Sequence, residues 1–406
     1  LVVGQFGDAA SISAVGTGSA FMQMVTFILT SLAMGSTIII AQHIGEKRPK
    51  AAGDAVGTTI VLFLIIGIAL TVILEIFAGN IAEIMQVPAQ AYTKTVAYIR
   101  ICSGGILVII AYNVISGILR GVGNANLPFL FVGIACVVNI AGDLLLVGIF
   151  KMDVAGAAIA TIAAQAVSVV ISVLVLKKQE LPIAFSKEQC RISSIECGKI
   201  LKVGVPIALQ ETTVQISFLV INSIINIWPD AVSRIWRGAK DRVIHHAGSF
   251  LRYAERFSFV AQNVGAGNLE RARKGFLTAM ASGCAVGILI FLAGFFGGEY
   301  LSAPFTSDGE VIMQSASYLK GFSVDCILTC ILFSSIGYFN GQGNSIPVMI
   351  QGITSAFCIR IPVSVLMSKL PGASLMMVGM ATPITTVYGI LFFLICFRIY
   401  GKKKIA

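Results

Sequence analysis

Apolar residues in this chain neither alternate nor form narrow stripes; they run in unbroken blocks set apart by short polar breaks. Thr58 to Leu74, Leu127 to Phe150 and Gly283 to Phe296 are examples, most of the blocks lying near the roughly 20 residues that a helix needs to cross the hydrocarbon. Eleven can be drawn, at 13–42, 51–79, 90–118, 127–149, 154–176, 200–227, 273–298, 311–336, 346–368 and 373–399, with a stub at Leu1 to Phe6. The stub reads as the tail of a helix whose beginning lies outside the chain. The pattern predicts an all-α integral membrane protein.

Composition agrees. Hydrophobic residues fill 56% of the 406 positions and charged ones 12%, about half the roughly 25% of soluble domains. The net charge of +10 raises the question of a nucleic-acid partner, but its placement answers it. When the runs are threaded, Lys47, Arg48, Lys50, Arg120, Lys177, Lys178, Arg271, Arg273 and Lys402 to Lys404 fall on one side, and Glu83, Asp153, Glu299, Asp308 and Glu310 on the other. This is the positive-inside pattern, which expects a multi-pass protein of the cell membrane with its C-terminus cytoplasmic, partnered by the bilayer and not by nucleic acid. The nine cysteines lie mostly in apolar runs, and Cys190 and Cys197 have no histidine nearby, so neither a metal site nor another cofactor is expected.

A fixed shift of 220 residues lays the chain on itself. Ala41-Gln42 and Gly45 meet Ala261-Gln262 and Gly265, Tyr98 meets Tyr318, and Gly117, Gly121, Gly123 and Asn124 meet Gly337, Gly341, Gly343 and Asn344. With six helices in each repeat, the halves become two six-helix bundles related by a pseudo-twofold axis along the membrane normal, about twelve helices with the first incomplete. The expected division is 1–176 for the N-terminal bundle, 177–199 for a cytoplasmic linker and 200–406 for the C-terminal bundle. Repeats of this kind are the usual architecture of secondary transporters. The Gly-x-Gly-Asn sequence predicts a tight helix-ending turn through positive φ, and no phosphate loop, since no strand precedes it and no lysine follows.

These residues, with Val2-Val3-Gly4-Gln5, Gly117 to Gly121, Asn139 through Asp143, Gly204-Val205-Pro206, Val260 to Asn263 and Arg360-Ile361-Pro362, resemble the multidrug and toxic compound extrusion family of cation-coupled exporters. The resemblance runs over nearly the whole chain and rests on the order of the motifs and the repeat.

One segment departs from it. Residues 228–258 hold nine charged residues, both tryptophans and two of the three histidines, where the resemblance expects an apolar eighth helix. Reading the codons one base later forces Trp228 and Trp236 to glycine, turns His245 and His246 into Ile, Thr or Met, and permits an apolar stretch that joins onto Phe259-Val260-Ala261-Gln262-Asn263. An out-of-frame segment is therefore expected, with compensating single-base changes near codons 227 and 258; a solvated loop or amphipathic surface helix is the alternative.

Ionisable residues within apolar helices are costly and mark function. Asn139 and Asp143 are four apart on one helical face, and the short turn before residue 154 makes the fifth and sixth helices a hairpin. That sets Thr161 level with Asp143, both ~9–10 Å inside the boundary at 1.5 Å per residue. Carboxylate, carboxamide and hydroxyl oxygens suit a proton or a small cation, and the resemblance implies that Asn139, Asp143 and Thr161 form the coupling site of the N-terminal lobe, with a further acidic member just before Leu1. Glu211 and Asp325, with Tyr318 two turns away, resemble a C-terminal lobe cation site. Arg100 and Arg360 are expected to satisfy carboxylates or backbone carbonyls inside the bundles.

The function these residues imply is a cation-coupled antiporter, driven by H⁺ or Na⁺, that exports amphipathic or cationic organic compounds and drugs as a monomer. A lipid-linked oligosaccharide flippase shares the architecture, but its cavity would need several arginines. A membrane-embedded enzyme would need a histidine-rich or paired-carboxylate centre at one interface, and His43 is the one histidine outside the anomalous segment. An inactive fragment is the remaining reading.

Overall fold

The computed structural model describes residues 2–179, 181–226, 257–302, 309–370, 377 and 380–402. All the regular structure there is helical, and eight helices are long and apolar enough to cross a membrane, or nine when one bent pair counts as a span. The anomalous segment 228–258, but for its last two residues, lies outside the described residues.

The first half comprises α1 (Val2–Phe6), α2 (Ala9–Gly45), α3 (Pro49–Ile84), α4 (Ala89–Gly104), α5 (Ile106–Val122), α6 (Asn126–Asp143) with a π-helical turn Leu144–Ile149, and α7 (Asp153–Lys178). After it come α8 (Ser194–Asn226), helical residues 257–265, α9 (Leu269–Phe296), α10 (Gly298–Ser302), α11 (Gly309–Gly341), α12 (Ile346–Thr354) with a π-helical turn Ser355–Arg360, α13 (Ile361–Lys369) and α14 (Ala381–Lys402). Long side chains such as Leu64, Ile68, Val72 and Ile76 stand exposed along α3, as expected for a helix whose outer face meets lipid rather than water.

The run expected as one helix at 90–118 is broken at Gly105, where α4 and α5 meet at 50°. Two glycines in succession weaken the helix, and a Cβ on Gly105 would lie 2.6 Å from Ile162, so the break lies where α7 packs tightly against the pair.

The repeat holds at the level of single hydrogen bonds. Gly123 and Gly343 take positive φ of 98° and 74°, and the amides of Asn124 and Asn344 donate back to the carbonyls of Leu119 and Phe339 at 2.9 and 3.0 Å. The earlier turn is also duplicated: Arg48 N donates to His43 O and Asn268 N to Asn263 O, with Lys47 in the left-handed region where its counterpart is Gly267.

The chain divides into two compact units, Leu1–Val205 and Pro206–Ala406. Residues 177–199, expected to be a cytoplasmic linker, and the first turns of α8 go with the first unit. The physical reason lies in two glycines of α3. A side chain on Gly53 would collide with the Ala184 carbonyl, and one on Gly57 with that of Gln189; bare backbone there lets the linker lie down. Ala184 N then donates to Pro49 O and Gln189 Nε2 to Lys50 O, both at 3.2 Å. Further along, Ser193 N donates to Thr58 Oγ1 at 3.2 Å. Glu196, 6% exposed, closes the strap: His43 Nε2 lies 3.0 Å from its Oε2, and Lys199 Nζ donates to its Oε1 at 2.8 Å. Burial alone would raise the Glu196 carboxyl, but these hydrogen bonds and charges hold it below the ordinary glutamate value.

At the opposite end of the same unit, Asp8 caps α2 by accepting from Ser11 N at 2.7 Å. Lys94 reaches Asp8 at 3.0 Å and Asp153 at 2.8 Å. The bonds from Ser11, with the Lys94 ammonium beside them, hold the Asp8 carboxyl well below the usual carboxylate range.

Candidate functional site

In the first unit, α6 and α7 pack as a hairpin, with Ala160 only 3.0 Å from where a Cβ on Gly142 would stand. That close packing brings two of the three expected residues together: Asn139 Nδ2 donates to Thr161 Oγ1 at 3.4 Å, and Thr161 in turn donates to the Ala157 carbonyl at 2.9 Å. Asp143 stands one turn on from Asn139, at the last position of regular α6 before the π-helical turn. Its carboxylate bonds to neither neighbour, and its buried Oδ1 has no hydrogen-bond partner among the described residues. A π-turn adds a residue without advancing the helix by a regular step, a distortion that recurs at functional sites. The sequence reading missed Tyr98, which is 5% exposed and interacts with Cys102, Thr161 and Asp143. Its coincidence with Tyr318 under the 220-residue shift was the signal that could have found it.

The second unit holds a larger polar cluster. Glu211 Oε1 accepts from Gln215 Nε2 at 2.7 Å, one turn along α8, and Asp325 Oδ2 accepts from Thr329 Oγ1 at 2.8 Å, one turn along α11. Thr386 of α14 also interacts with Asp325. Arg360, at the end of the second π-helical turn, acts electrostatically on both carboxylates. Its Nη1 donates to Ser217 Oγ at 2.9 Å, and its guanidinium lies 4.7 Å from the centre of the Phe218 ring, within cation–π range. Tyr318 is on α11, but its side chain lies outside the described residues. Arg100 is exposed and belongs to neither cluster.

With both sites in view, the chain can be placed among known proteins. The MatE family model matches residues 1–145 and 257–366. The chain belongs to the MatE family. It is 26% identical over 378 residues to the probable multidrug resistance protein NorM of Thermotoga maritima, covering 88% of this chain and 78% of that one. To the probable multidrug resistance protein YpnP of Bacillus subtilis it is 24% identical over 370 residues, covering 91% and 82%. Its fold is similar to that of a MATE crystal structure in complex with MaL6, with TM-score 0.91 at 21% identity over 99% of this chain and 92% of the other. This MatE chain is therefore an all-α multi-pass membrane transporter and not an enzyme.

Proposed function

We propose that this MatE chain is a cation-coupled antiporter that exports amphipathic or cationic organic compounds across the cell membrane, with its basic end cytoplasmic and Asp143 as the principal coupling group. The observation that carries the reading is the state of Asp143: a carboxylate within a membrane helix, with a buried oxygen that no described side chain satisfies. An unpaired charge so placed is costly. Uptake of H⁺ or Na⁺ removes the cost, and release restores it. If one opening of the transporter favours the occupied form and the other the empty form, the ion gradient drives the cycle through that differential affinity. The relatives named as multidrug resistance proteins support export of drug-like compounds. The flippase reading gains nothing, because Arg360 is engaged with Ser217 and the acidic pair and Arg100 is exposed.

The test is Asp143→Asn, which keeps size and hydrogen-bonding capacity but cannot titrate. In a pump-deficient host, with pH and sodium varied separately, the substitution should abolish cation-dependent efflux while membrane insertion stays normal. Normal export with unchanged pH and sodium dependence would sink the proposal and move the coupling site to Glu211 and Asp325.

A further inference from the structure

Arg360 is 9% exposed and Asp325 5%, inside a bundle with a membrane around it. A guanidinium stays protonated in proteins, so the cluster holds one fixed positive charge against two carboxylates. The charges are not locked in a fork: Nη1 is given to Ser217, while Arg360 Nε and Asp325 Oδ1 are both buried without a hydrogen-bond partner among the described residues. Glu211 and Asp325 instead take their short hydrogen bonds from neutral Gln215 and Thr329. An arginine present only to satisfy a structural carboxylate would use its paired N–H groups on it, since that bidentate geometry is the strong one. Here the guanidinium is anchored beside the acids by Ser217 and the Phe218 ring, which leaves an acidic oxygen open.

We propose that Arg360 is the tethered counter-cation of the C-terminal site: it cancels one of the two carboxylate charges and leaves the other to take a single monovalent cation. Arg360 is thus a positioning and specificity residue that sets how tightly, and how many, cations the site holds. The inference rests on reading Glu211 and Asp325 as a cation-binding pair. Without the guanidinium, the two carboxylates it acts on in a low-dielectric bundle hold their first cation more tightly and become more attractive to a divalent ion through hard oxygen ligands.

The experiment measures binding of radioactive sodium and its displacement by protons and by Ca²⁺. It uses the full chain in lipid nanodiscs in an Asp143→Asn background, so that the N-terminal group is silent. Arg360→Lys, which keeps the charge, should stay within about twofold of the parent, whereas Arg360→Gln should lower the half-saturating cation concentration about tenfold or more and let millimolar Ca²⁺ compete. Loss of thermal stability in Arg360→Gln with half-saturation unmoved would overturn the proposal in favour of a purely structural arginine. Should Arg360→Gln fail to insert, Ser217→Ala, which frees the guanidinium from its anchor, should still shift half-saturation about threefold, and no shift there would also overturn it. Unchanged binding in Glu211→Gln/Asp325→Asn removes the pair itself and the inference with it. Altered binding there, with both Arg360→Gln and Ser217→Ala unmoved, removes only the role of Arg360.

Discussion

The two halves of this MatE chain share the hydrogen bonds of their turns, but Asp143, Arg360 and Asp325 have no charged counterpart in the other half. Under the 220-residue shift Asp143 falls on Val363, Arg360 on Ile140 and Asp325 on Gly105. Matching helices therefore carry an acid in one half and a base in the other, three residues apart in register. The N-terminal half leaves its carboxylate without a described counter-charge, while the C-terminal half surrounds two carboxylates with an arginine, a threonine and a glutamine. Duplication has preserved what the backbone needs, and the chemistry has diverged on top of it. On the proposed function, one site depends on an ion from outside for neutrality and the other is half neutralised from within.

The sharpest way to break that contrast is through stability rather than transport. Glu211→Gln combined with Asp325→Asn strips Arg360 of both counter-charges, and an unpaired buried charge costs about 3–5 kcal/mol. Asp143→Asn removes a charge that had no described partner, so it should leave stability unchanged or raised. Thermal unfolding in detergent should show a large drop for the double variant and none for Asp143→Asn. Equal melting temperatures for the two would mean that the halves handle charge alike.

How much of this was legible in the sequence follows from what leaves a mark there. Gly-x-Gly-Asn appears twice because positive φ demands glycine, and the turn could be read directly in both halves. The shortness of the hairpin between the fifth and sixth spans was enough to bring the two helices together at this level, but it set Thr161 beside Asp143, whereas the structure bonds Thr161 to Asn139, one turn earlier. The π-helical turns were invisible, because an i→i+5 hydrogen bond asks for no particular residue; yet they fix where Asp143 and Arg360 stand. The break at Gly105 was hidden in an apolar run that hydropathy counts as continuous. The docked linker looked like an ordinary polar loop, since its bonds to α3 are mostly made by main-chain atoms. Only Gly53 and Gly57, glycines in a helix with no turn to make, hinted that something lies against them.

Those glycines give the next test, because the C-terminal half has Arg273 and Leu277 at the matching positions. Gly57→Leu copies the second half into the first. Its side chain would occupy the place of the Gln189 carbonyl, so the linker must lift. Overpacking of this kind costs about 1–3 kcal/mol. Limited proteolysis should find new cleavage within residues 184–193, with the α2–α3 turn still protected. An uncut linker would show that the strap tolerates a side chain and that its docking does not depend on bare backbone.

The smallest expected effect is at Thr161, and it discriminates most finely between the two kinds of site. Its hydroxyl accepts from Asn139 at 3.4 Å, a long bond, and spends its own proton on the Ala157 carbonyl at 2.9 Å. Thr161→Val keeps the shape and removes one neutral oxygen. At about 1 kcal/mol for a neutral hydrogen bond, cation-driven efflux should weaken about fivefold in apparent cation affinity, far short of the abolition expected for Asp143→Asn. In the C-terminal half the corresponding change is Thr329→Val, which removes the donor to Asp325 Oδ2. There the arginine still supplies positive charge, so the shift should be smaller than at Thr161. Measuring both variants across a sodium series and a pH series checks the order. A larger effect at Thr329 than at Thr161 would show that the C-terminal pair, and not Asp143, is where neutral ligands matter most.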